Sequence, residues 1–506
     1  MLFVGHCYFF LSTCNFMKTA YYLLASAITV ITLTVSMSCS EIEFYEGDDL
    51  TLRFEVDTLM FDTVFTEVGT ITRSVKVYND LEDRVNIKSI NIANPDSYFR
   101  INVQGFNSLP IADIVIQPED SIYIFVEATI DPDAPVSLSP FVISDAITIE
   151  TQSTQTIHLE AFGQNANYIP SKESAGDFTF ITCDMQDWVW DDPKPYVVYG
   201  SLFIDSCSLI LPAGCQVYVH GGIADNEIGV YNDGLIIIGN SADLQSNGTL
   251  DQPVRIQTDR LEASFQDDPG QWGGLLLTSD NDNRLTYTDI YHSIVGVRVD
   301  SSANATINNC KIAYTSANGI LGVHSSINGS NNLIHSTLSH GINLVHGGNY
   351  SFDHCTIYNG SSQTHAVNIN NYKCLDQFCT QALKNPFDGV FRNCIFSGFN
   401  SDEVWVDDID LEDNSDLNYF FDHCVMRIDE LLDPGLQPNF FENVSMSVNY
   451  DLSDSLYIAI DSLDFHLDTL SIAIDVGTTI QGLPLDLDGI MRQGGQPDAG
   501  CYEYVE

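Results

Sequence analysis

Basic residues are scarce in this chain of 506 residues. Lysine and arginine number 19 against 69 aspartates and glutamates, so the formal net charge is −50. Nucleic-acid binding needs clustered positive charge to neutralise phosphates, and a nucleic-acid partner is therefore not expected. The same acidity disfavours polyanionic glycans unless a local basic patch or divalent cations offset the repulsion.

Long apolar runs are missing from most of the chain. After residue 38, no stretch reaches the roughly 18 apolar residues of a membrane-spanning helix. The one apolar run, residues 19–38, lies between Lys18 and Cys39 and is rich in small residues. Lys18 is the only charged residue before Glu41, so the run has the pattern of a targeting signal.

This segment resembles a bacterial lipoprotein signal peptide, which is cleaved before a cysteine that becomes lipid-modified. The resemblance implies translation from Met17, a signal over residues 1–38, lipidation of Cys39 and an acidic tether over residues 39–49. It also implies localisation at the outer membrane, exposed at the cell surface. An ordinary secretory signal or an uncleaved membrane anchor remains the alternative.

Cysteine is absent from residues 50–165, so no disulfide can hold this region together. Short runs such as "VNIKSINIA" and "DSIYIFVEATI" alternate apolar and polar residues between turn formers, which predicts an antiparallel β-sandwich. The stretch "FDTVFTEVGTITRSVKVYN" resembles the Hydin-like domains of bacterial surface proteins. That resemblance implies an immunoglobulin-like fold.

Helical periodicity is absent from residues 201–445, where short β-rich segments alternate with Gly, Asn, Ser and Asp. A repeat is present instead, because isoleucines recur every 22 or 23 residues and glycines recur nearly in step. These are Ile290, Ile312, Ile334 and Ile357, with Gly296, Gly319 and Gly341. Each repeat is too short to bury its own apolar face, so stacked coils of a parallel β-helix are predicted.

Cysteines follow the same spacing. The column comprises Cys310, Asn332, Cys355, Cys394 and Cys424. A free cysteine behaves as a small hydrophobe, so an interior ladder of reduced thiols is predicted. A metal site is the alternative, and it would need ligands within about 2–2.3 Å of one ion. His354 and His423 each precede a cysteine and are expected to point outward as surface residues.

Other cysteines could form local disulfides in an oxidising compartment. Two pairings are open, Cys374 with Cys379 and Cys207 with Cys215. Residues 166–200 are expected to form a junction and N-terminal cap. Residues 446–506 resemble the C-terminal segment of bacterial β-helix surface proteins, in "LDLDGIMR" and "QPDAGCYEY". A cap is expected there because a β-helix otherwise ends in an open sheet edge.

Several longer stretches of the sequence resemble the right-handed parallel β-helix lipoproteins of Gram-negative outer membranes. They include "PYVVYGSLFIDSCSLILPAGCQVYVH", "PGQWGGLLL" and "GGNYSFDHCTIYN". The resemblance implies an all-β, pectin-lyase-like architecture. The same superfold includes pectate lyases, polygalacturonases and passive adhesins, so it does not select an activity.

Two polar columns are candidate sites. The first comprises Asp300, His324, His346 and Asn371, and the second comprises Asn318, His340 and His365. Histidines on adjacent coils can bind a metal or act as acid and base. The alternative is a polar ladder at a coil corner that satisfies backbone groups.

The loop over residues 259–270 is the best candidate for a variable binding rim. It carries Arg260, Asp267 and Asp268, and Trp272 follows it in a Gly-rich turn. Trp272 is either a platform for a sugar ring or a packing residue where the loop returns to the coil.

Three functions are compatible with this sequence. The first is a non-catalytic glycan-binding or adhesion module, with extracellular polysaccharide as partner and a monomeric state. The second is a polysaccharide lyase or glycoside hydrolase, which would need a base or paired carboxylates in one groove. The third is a purely structural role. No cofactor is indicated. Whether the acidic surface binds calcium stays open.

Overall fold

The computed structural model describes residues 44–47, 50–65, 72–95, 97–128, 141–164, 166–169, 178–183, 187–226, 229–232, 234–261, 265–360, 362–409, 416–433, 435 and 440–505. These residues form β-strands and three short 3-10 helices, Glu430–Leu432, Phe440–Asn443 and Ile460–Ser462, which confirms the all-β class for the described chain. None of the described helices is long and apolar enough to cross a membrane. Cys39 and the predicted signal over residues 1–38 lie outside the described residues. The chain divides into two compact units.

Two antiparallel sheets form the N-terminal part of the described chain. Their strands are β1 (Arg53–Phe54), β2 (Thr58–Phe65), β3 (Arg73–Asn79), β4 (Val85–Ile92), β5 (Phe99–Val103), β6 (Ile111–Ile116), β7 (Asp120–Ala128), β8 (Phe141–Glu150) and β9 (Thr154–Gln164). One sheet has the order β1-β3-β7-β5 and the other β2-β9-β8-β4-β6. Val75 and Val77 are fully buried while Lys76 between them is half-buried, so one face of the first sheet is apolar. The immunoglobulin-like assignment stays a prediction.

The larger unit is a parallel β-helix with three faces, here called A, B and C. Face A is a single sheet of the described strands β10 (Asn167–Ile169), β13 (Tyr196–Tyr199), β16 (Gln216–His220), β21 (Val254–Thr258), β24 (Thr288–Tyr291), β27 (Lys311–Thr315), β29 (Leu333–Thr337), β31 (Thr356–Tyr358), β36 (Ile395–Ser397), β39 (Val425–Met426) and β41 (Val448–Asn449).

A second continuous sheet covers faces B and C. Face B consists of β11 (Phe178–Thr182), β14 (Ser201–Asp205), β19 (Leu235–Ile238), β22 (Trp272–Leu277), β25 (Ser293–Val299), the start of β28 (Ile320–Ser330), the start of β30 (Ile342–Asp353), β32 (Val367–Asn370) and β37 (Val404–Asp407). Face C consists of β12 (Trp188–Val189), β15 (Ser208–Leu211), β20 (Asp243–Asn247), β23 (Asn283–Thr286), β26 (Asn304–Asn308), the rest of β28 and β30, β35 (Phe387–Arg392), β38 (Leu417–Asp422) and β40 (Val444–Ser445).

Three hairpins project from these coils or follow them. They are β17 (Ile223–Asn226) with β18 (Gly229–Asn232), β33 (Tyr372–Cys374) with β34 (Ala382–Lys384), and β42 (Tyr457–Ala459) with β43 (Asp464–Leu467). The first two interrupt coils at corners of the β-helix. They therefore enlarge the surface at those corners.

The predicted isoleucine repeat is confirmed. The four residues are in parallel register on face A and fully buried: Ile290, Ile312, Ile334 and Ile357. The β-helix also includes part of the predicted junction, because β10 pairs in parallel with β13. Trp190 in that junction is 1% exposed and stacks on Tyr196 at 4.5 Å, so it closes the core and is not available to a sugar.

The cysteine column is confirmed as an interior ladder of free thiols. Its four cysteines are fully buried: Cys310, Cys355, Cys394 and Cys424. Asn332 joins two of them, because its Oδ1 accepts from Cys310 N at 2.9 Å and its Nδ2 lies 3.7 Å from the Cys355 Sγ. Burial raises the pKa of the Cys310 thiol to about 12, so this thiol stays protonated and unreactive at neutral pH.

His354 is not the surface residue that its position predicted. It is fully buried, and Asn393 Nδ2 lies 2.8 Å from its Nε2. Burial lowers the pKa of His354 to about 2, so its ring is neutral. His423 remains partly exposed and its Nδ1 lies 2.8 Å from Asp422 Oδ1. The C-terminal segment contributes to the burial of His354, whose ring lies near the backbone of Asp498 and Gly500.

The disulfide predictions had mixed outcomes. Cys374 and Cys379 are joined within the β33–β34 hairpin. Cys207 pairs with Cys183 and not with Cys215, which remains free and buried. The β11–β14 pairing brings the first coil beside the second, and this supplies a partner that sequence proximity alone did not reveal.

Part of the described C-terminal segment lies along the outside of face A. Phe465 is 1% exposed and its ring lies 5.2 Å from that of Tyr358, on β31. Arg492 Nη2 donates to Asn331 Oδ1 at 2.9 Å, and Gly500 N donates to the Asn393 carbonyl at 2.7 Å. The segment therefore covers outward apolar residues of face A such as Leu333 and Ile395, and its role as a cap at the end of the β-helix stays a prediction.

Candidate functional site

The first candidate site lies at the corner between faces A and B. Two insertions occur there on neighbouring coils: the β17–β18 hairpin follows β16, and the loop of residues 259–271 follows β21. Because β16 pairs with β21 and β19 pairs with β22, the two insertions start and end side by side.

The described part of the loop is held by hydrogen bonds at both ends and in its middle. Asp259 Oδ2 lies 2.7 Å from His220 Nδ1, and Gln271 N donates to the His292 carbonyl at 2.7 Å. Gln271 Nε2 donates to the carbonyls of Phe265 and Asp268, both at 2.8 Å. Binding residues held in this way lose little entropy when a ligand binds.

A cavity of about 390 Å³ lies between the loop and the turn after β16. Its described lining combines one aromatic ring, one guanidinium, one carboxylate, one amide and glycine backbone. These residues, here called the loop pocket, are Gly221, Gly222, Arg260, Phe265, Asp268, Pro269, Gly270 and Gln271. The Arg260 guanidinium lies 5.2 Å from the Phe265 ring centroid, a cation–π contact that orients it.

The predicted rim residues separate in the structure. Arg260 and Asp268 both line the loop pocket, whereas Asp267 is directed to Tyr314. Burial raises the pKa of the Tyr314 hydroxyl to about 12, and the hydrogen bond to Asp267 adds to that rise. Sequence reasoning missed Phe265 and Gln271, since nothing in their immediate neighbours marks them as pocket residues.

Trp272 is not a sugar platform. It is 1% exposed, belongs to the β-helix core, and its Nε1 donates to the Tyr291 carbonyl at 2.8 Å. An indole with no exposed face cannot stack on a ligand. This confirms the alternative interpretation of the sequence, in which Trp272 is a packing residue.

The second candidate site, here called the histidine corner, lies between faces B and C. It contains the first predicted column, which occupies the turn after β25, the bends of β28 and β30, and the turn after β32: Asp300, His324, His346 and Asn371. The backbone φ of His324 is 48° and that of His346 is 65°, so each strand bends at its histidine. The column therefore marks a coil corner, as one of its two interpretations predicted.

Several groups of the histidine corner already form hydrogen bonds within the protein. Asp300 Oδ1 accepts from Arg298 Nε at 2.8 Å, and His346 N donates to Asn370 Oδ1 at 2.8 Å. Burial lowers the pKa of His346, and the nearby charge of Lys373 lowers it further. Asn371 is fully buried, and neither its Oδ1 nor its Nδ2 has a hydrogen-bond partner in the described structure.

The β33–β34 hairpin brings two further polar groups to the histidine corner. The Tyr372 hydroxyl lies 2.5 Å from Asp407 Oδ2, and burial together with this carboxylate raises the pKa of Tyr372 to about 12. Lys373 beside it is exposed. Sequence reasoning missed this group because Tyr372 and Asp407 come from successive coils separated by an insertion.

The second predicted column is a stacked ladder at the A–B corner. His340 and His365 stack at 6.1 Å, and His365 stacks on Trp405 at 5.0 Å. Each histidine Nδ1 lies within 3 Å of a carbonyl, that of His365 for His340 and that of Asp402 for His365. Both rings are thus fixed by the backbone of the next coil, which is a structural role.

Glu403 is the most perturbed carboxylate near this ladder. It is fully buried, burial raises its pKa to about 7, and its oxygens accept from the backbone N–H of Ala366 and Asn400. Because no solvent reaches the carboxylate, it holds the turn and cannot serve an external substrate. Across the described residues, no group of three or more His, Cys, Asp or Glu side chains is arranged to hold a metal ion.

Residues 197–361 match a family model described as a right-handed β-helix region. The match confirms the parallel β-helix and its hand over that stretch, which contains the loop pocket and most of the histidine corner. Among curated proteins, none matches this sequence.

Three solved structures resemble the chain weakly. A family 123 glycoside hydrolase from Clostridium perfringens has 6% identity and a TM-score of 0.17, covering 37% of this chain and 44% of its own. XylC, solved with xylose, has 8% identity and a TM-score of 0.30, covering 88% and 89%. The catalytic domain of a GH87 alpha-1,3-glucanase, solved with tetrasaccharides, has 9% identity and a TM-score of 0.23, covering 71% and 76%. This chain thus spans less than half of the first, and scores this low carry no argument about activity.

Proposed function

We propose that this chain is a non-catalytic glycan-binding protein of the cell surface, and that it holds a neutral oligosaccharide in the loop pocket. The observation that carries the proposal is the composition of that pocket. Sugar rings present apolar C–H faces and directional hydroxyls, and the pocket offers the Phe265 ring beside the polar groups of Arg260, Asp268 and Gln271. A volume of about 390 Å³ lies within the range of small-ligand sites, roughly 300–1,000 Å³.

Binding is favoured over hydrolysis at this site. Glycoside hydrolysis ordinarily uses two carboxyl groups roughly 5–9.5 Å apart, one on each side of the scissile bond. Among the described residues that line the loop pocket, Asp268 is the only carboxylate. A neutral ligand is favoured because a chain with a net charge of −50 repels polyanions.

The surface location is part of the proposal and rests on the N-terminal sequence. Lys18, the apolar run after it and Cys39 fit a lipoprotein signal, which would anchor a monomeric protein in the outer membrane. An extracellular polysaccharide is then the expected partner. Radiolabelled palmitate incorporated into the wild-type chain but not into Cys39→Ala would support the anchor, and equal labelling of both would exclude it.

The loop pocket is tested with Arg260→Ala. Affinity gels containing β-glucan, mannan or arabinan should retard the wild-type chain, and the substitution should weaken the retardation roughly tenfold by removing a charge-assisted donor. The matched control is Arg284→Ala, since Arg284 is also exposed and pairs with Asp282, a surface residue just before β23. Retardation unchanged by Arg260→Ala, or abolished equally by both substitutions, would exclude the loop pocket as the binding site.

A second candidate function is polysaccharide cleavage at the histidine corner. The observation that favours it is the Tyr372–Asp407 hydrogen bond, with the Lys373 charge close to His346, so that a phenol, a carboxylate and a cation all belong to this corner. New reducing ends from the same neutral polysaccharides, or unsaturated products from a uronic-acid polymer such as pectate, each with and without calcium, would demonstrate cleavage. Activity that is lost in Asp407→Asn and retained in Asp388→Asn, an exposed carboxylate of face C, would assign cleavage to this corner.

A further inference from the structure

The N-terminal unit has a cavity of its own. It measures about 320 Å³ and lies between edge strand β5, its neighbour β7 and the loop of residues 104–110. The side chains that face it from the outer side of the sheet and from the loop include Arg100, Asn102, Asn107, Leu109, Phe125 and Glu127. Phe99 and Ile101 of the edge strand also line it, although their side chains belong to the buried side of the sheet.

The two charged side chains that line this cavity do not form an ion pair with each other in the described structure. Arg100 and Glu127 are direct cross-strand partners in the β5–β7 register. Such pairs commonly form ion pairs, yet these two make none in the described structure, and both line the cavity. Their hydrogen-bonding capacity is therefore available to a ligand that both donates and accepts.

The remaining groups add an apolar surface and amides. Phe125 is 42% exposed and its ring lies 6.0 Å from that of Tyr123, which is 43% exposed, at an interplanar angle of 15°. Asn102 lies opposite Phe125 in the register, and its Oδ1 accepts from Gly105 N at 3.0 Å. Two large aromatics exposed on a sheet whose other face is already packed do not contribute to that core.

We propose that this cavity is a second glycan site, which holds one neutral sugar unit with a ring face against Phe125 and hydroxyls between Arg100 and Glu127. A vicinal diol suits the charged pair, because each hydroxyl can accept from the guanidinium and donate to the carboxylate. The inference rests on the proposed function for the class of ligand. It places that ligand on a different unit of the chain, with a different set of residues.

Substitutions in the full chain separate the two sites. Affinity gels of β-glucan, mannan and arabinan serve as probes for Phe125→Ala, Arg260→Ala and the double variant. Loss of the ring contact in Phe125→Ala should reduce affinity roughly threefold to tenfold, Arg260→Ala should reduce it roughly tenfold, and the double variant should lose both contributions. The control is Phe106→Ala, since Phe106 is 61% exposed in the same loop and does not line the cavity.

The possible outcomes distinguish the two proposals. If Phe125→Ala weakens retention and Phe106→Ala does not, the second site is supported. If Arg260→Ala alone removes all retention and Phe125→Ala has no effect, the loop pocket stands and the second site is excluded. If only Phe125→Ala reduces retention, the second site stands without the loop pocket. Glu127→Gln serves as a second variant of the same size, and unaltered retention in it would also count against this site.

Discussion

One backbone conformation is shared by the residues that precede the cysteine column. Their φ angles lie between 51° and 55°, in the left-handed region: Asn309, Asn331, His354, Asn393 and His423. Asparagine and histidine are enriched in this region among non-glycine residues. The Asn-Cys and His-Cys pairs of the sequence are therefore corner signals of the β-helix, and the histidines in them need no chemical role.

His466 is the histidine with the strongest electrostatic environment. Its Nδ1 lies 2.6 Å from Asp464 Oδ1, its Nε2 lies 2.9 Å from Asp488 Oδ2, and its ring stacks on Tyr502 at 4.1 Å. The hydrogen bond to Asp488, with Asp464 adding to it, raises the pKa of His466 to about 9. The charged imidazolium thus links β43 to the last turns of the C-terminal segment.

We predict that His466→Gln lowers the free energy of unfolding at pH 6 and leaves it nearly unchanged near pH 10. The folded pKa of about 9 lies above the unfolded value of about 6.5, so the stabilisation is complete below pH 6.5 and is lost as the pH rises through 9. Because the side chain is 44% exposed, screening limits the contribution to about 1 kcal/mol. Urea midpoints of both proteins across this pH range measure it.

The control for this prediction is His158→Gln, which changes an exposed histidine of β9. It should leave the urea midpoint unchanged at every pH. A His466→Gln deficit that stays constant from pH 6 to pH 10 would show that packing on Tyr502, and not charge, is what the side chain contributes.

The stacking of coils could be predicted from sequence, but contacts that cross between distant segments could not. Ile312 and Cys310 repeat at the coil length, so their burial follows from the repeat alone. The burial of His354 depends on residues near Gly500, far along the chain, and no local pattern indicates that contact. Phe265 and Tyr372 could not be predicted either, because they lie in insertions, outside the repeat that located the other candidates.

At the scale of elements, glycines allow close packing between neighbouring coils. A Cβ added to Gly319 would lie 2.6 Å from Ile334 Cγ2 and 2.7 Å from the Gly341 carbonyl oxygen. Gly296 has the same relation to Ile312, with 2.5 Å to its Cγ2, so the glycine and isoleucine repeats are two sides of one packing contact. Each of these inward isoleucines fits because the glycine of the preceding coil has no side chain.

Gly319→Ala is therefore expected to destabilise the β-helix. The added methyl group contacts backbone as well as a buried side chain, and overpacking of this kind costs about 1–3 kcal/mol. The midpoint of thermal unfolding, followed by circular dichroism, is the measurement. Gly494→Ala is the control, because an added Cβ there meets no atom within 4 Å. Equal midpoints for the two variants would show that the coils can separate enough to accept the methyl group.

For the whole molecule, the net charge of −50 is the dominant global property. Self-repulsion of a highly charged chain opposes the compact state, and salt shortens its range to a Debye length of about 10 Å at 0.1 M. The chain offers few compensating cations, and several of its ion pairs, such as Arg53 with Asp80, lie on the surface, where they contribute little. Stability should thus depend on ionic strength more than on individual pairs.

We predict that the thermal midpoint rises as sodium chloride increases from 10 to 300 mM, because screening weakens the repulsion among carboxylates. Calcium chloride at equal ionic strength should give a similar rise at millimolar concentrations, since the described residues contain no group arranged to hold a metal ion. A midpoint that increases steeply at micromolar calcium and then saturates would instead indicate a specific site, formed by carboxylates whose convergence the described residues do not show. Repeating the titration with magnesium separates the two cases, because screening depends on charge alone whereas a specific calcium site selects for ion size and ligand number.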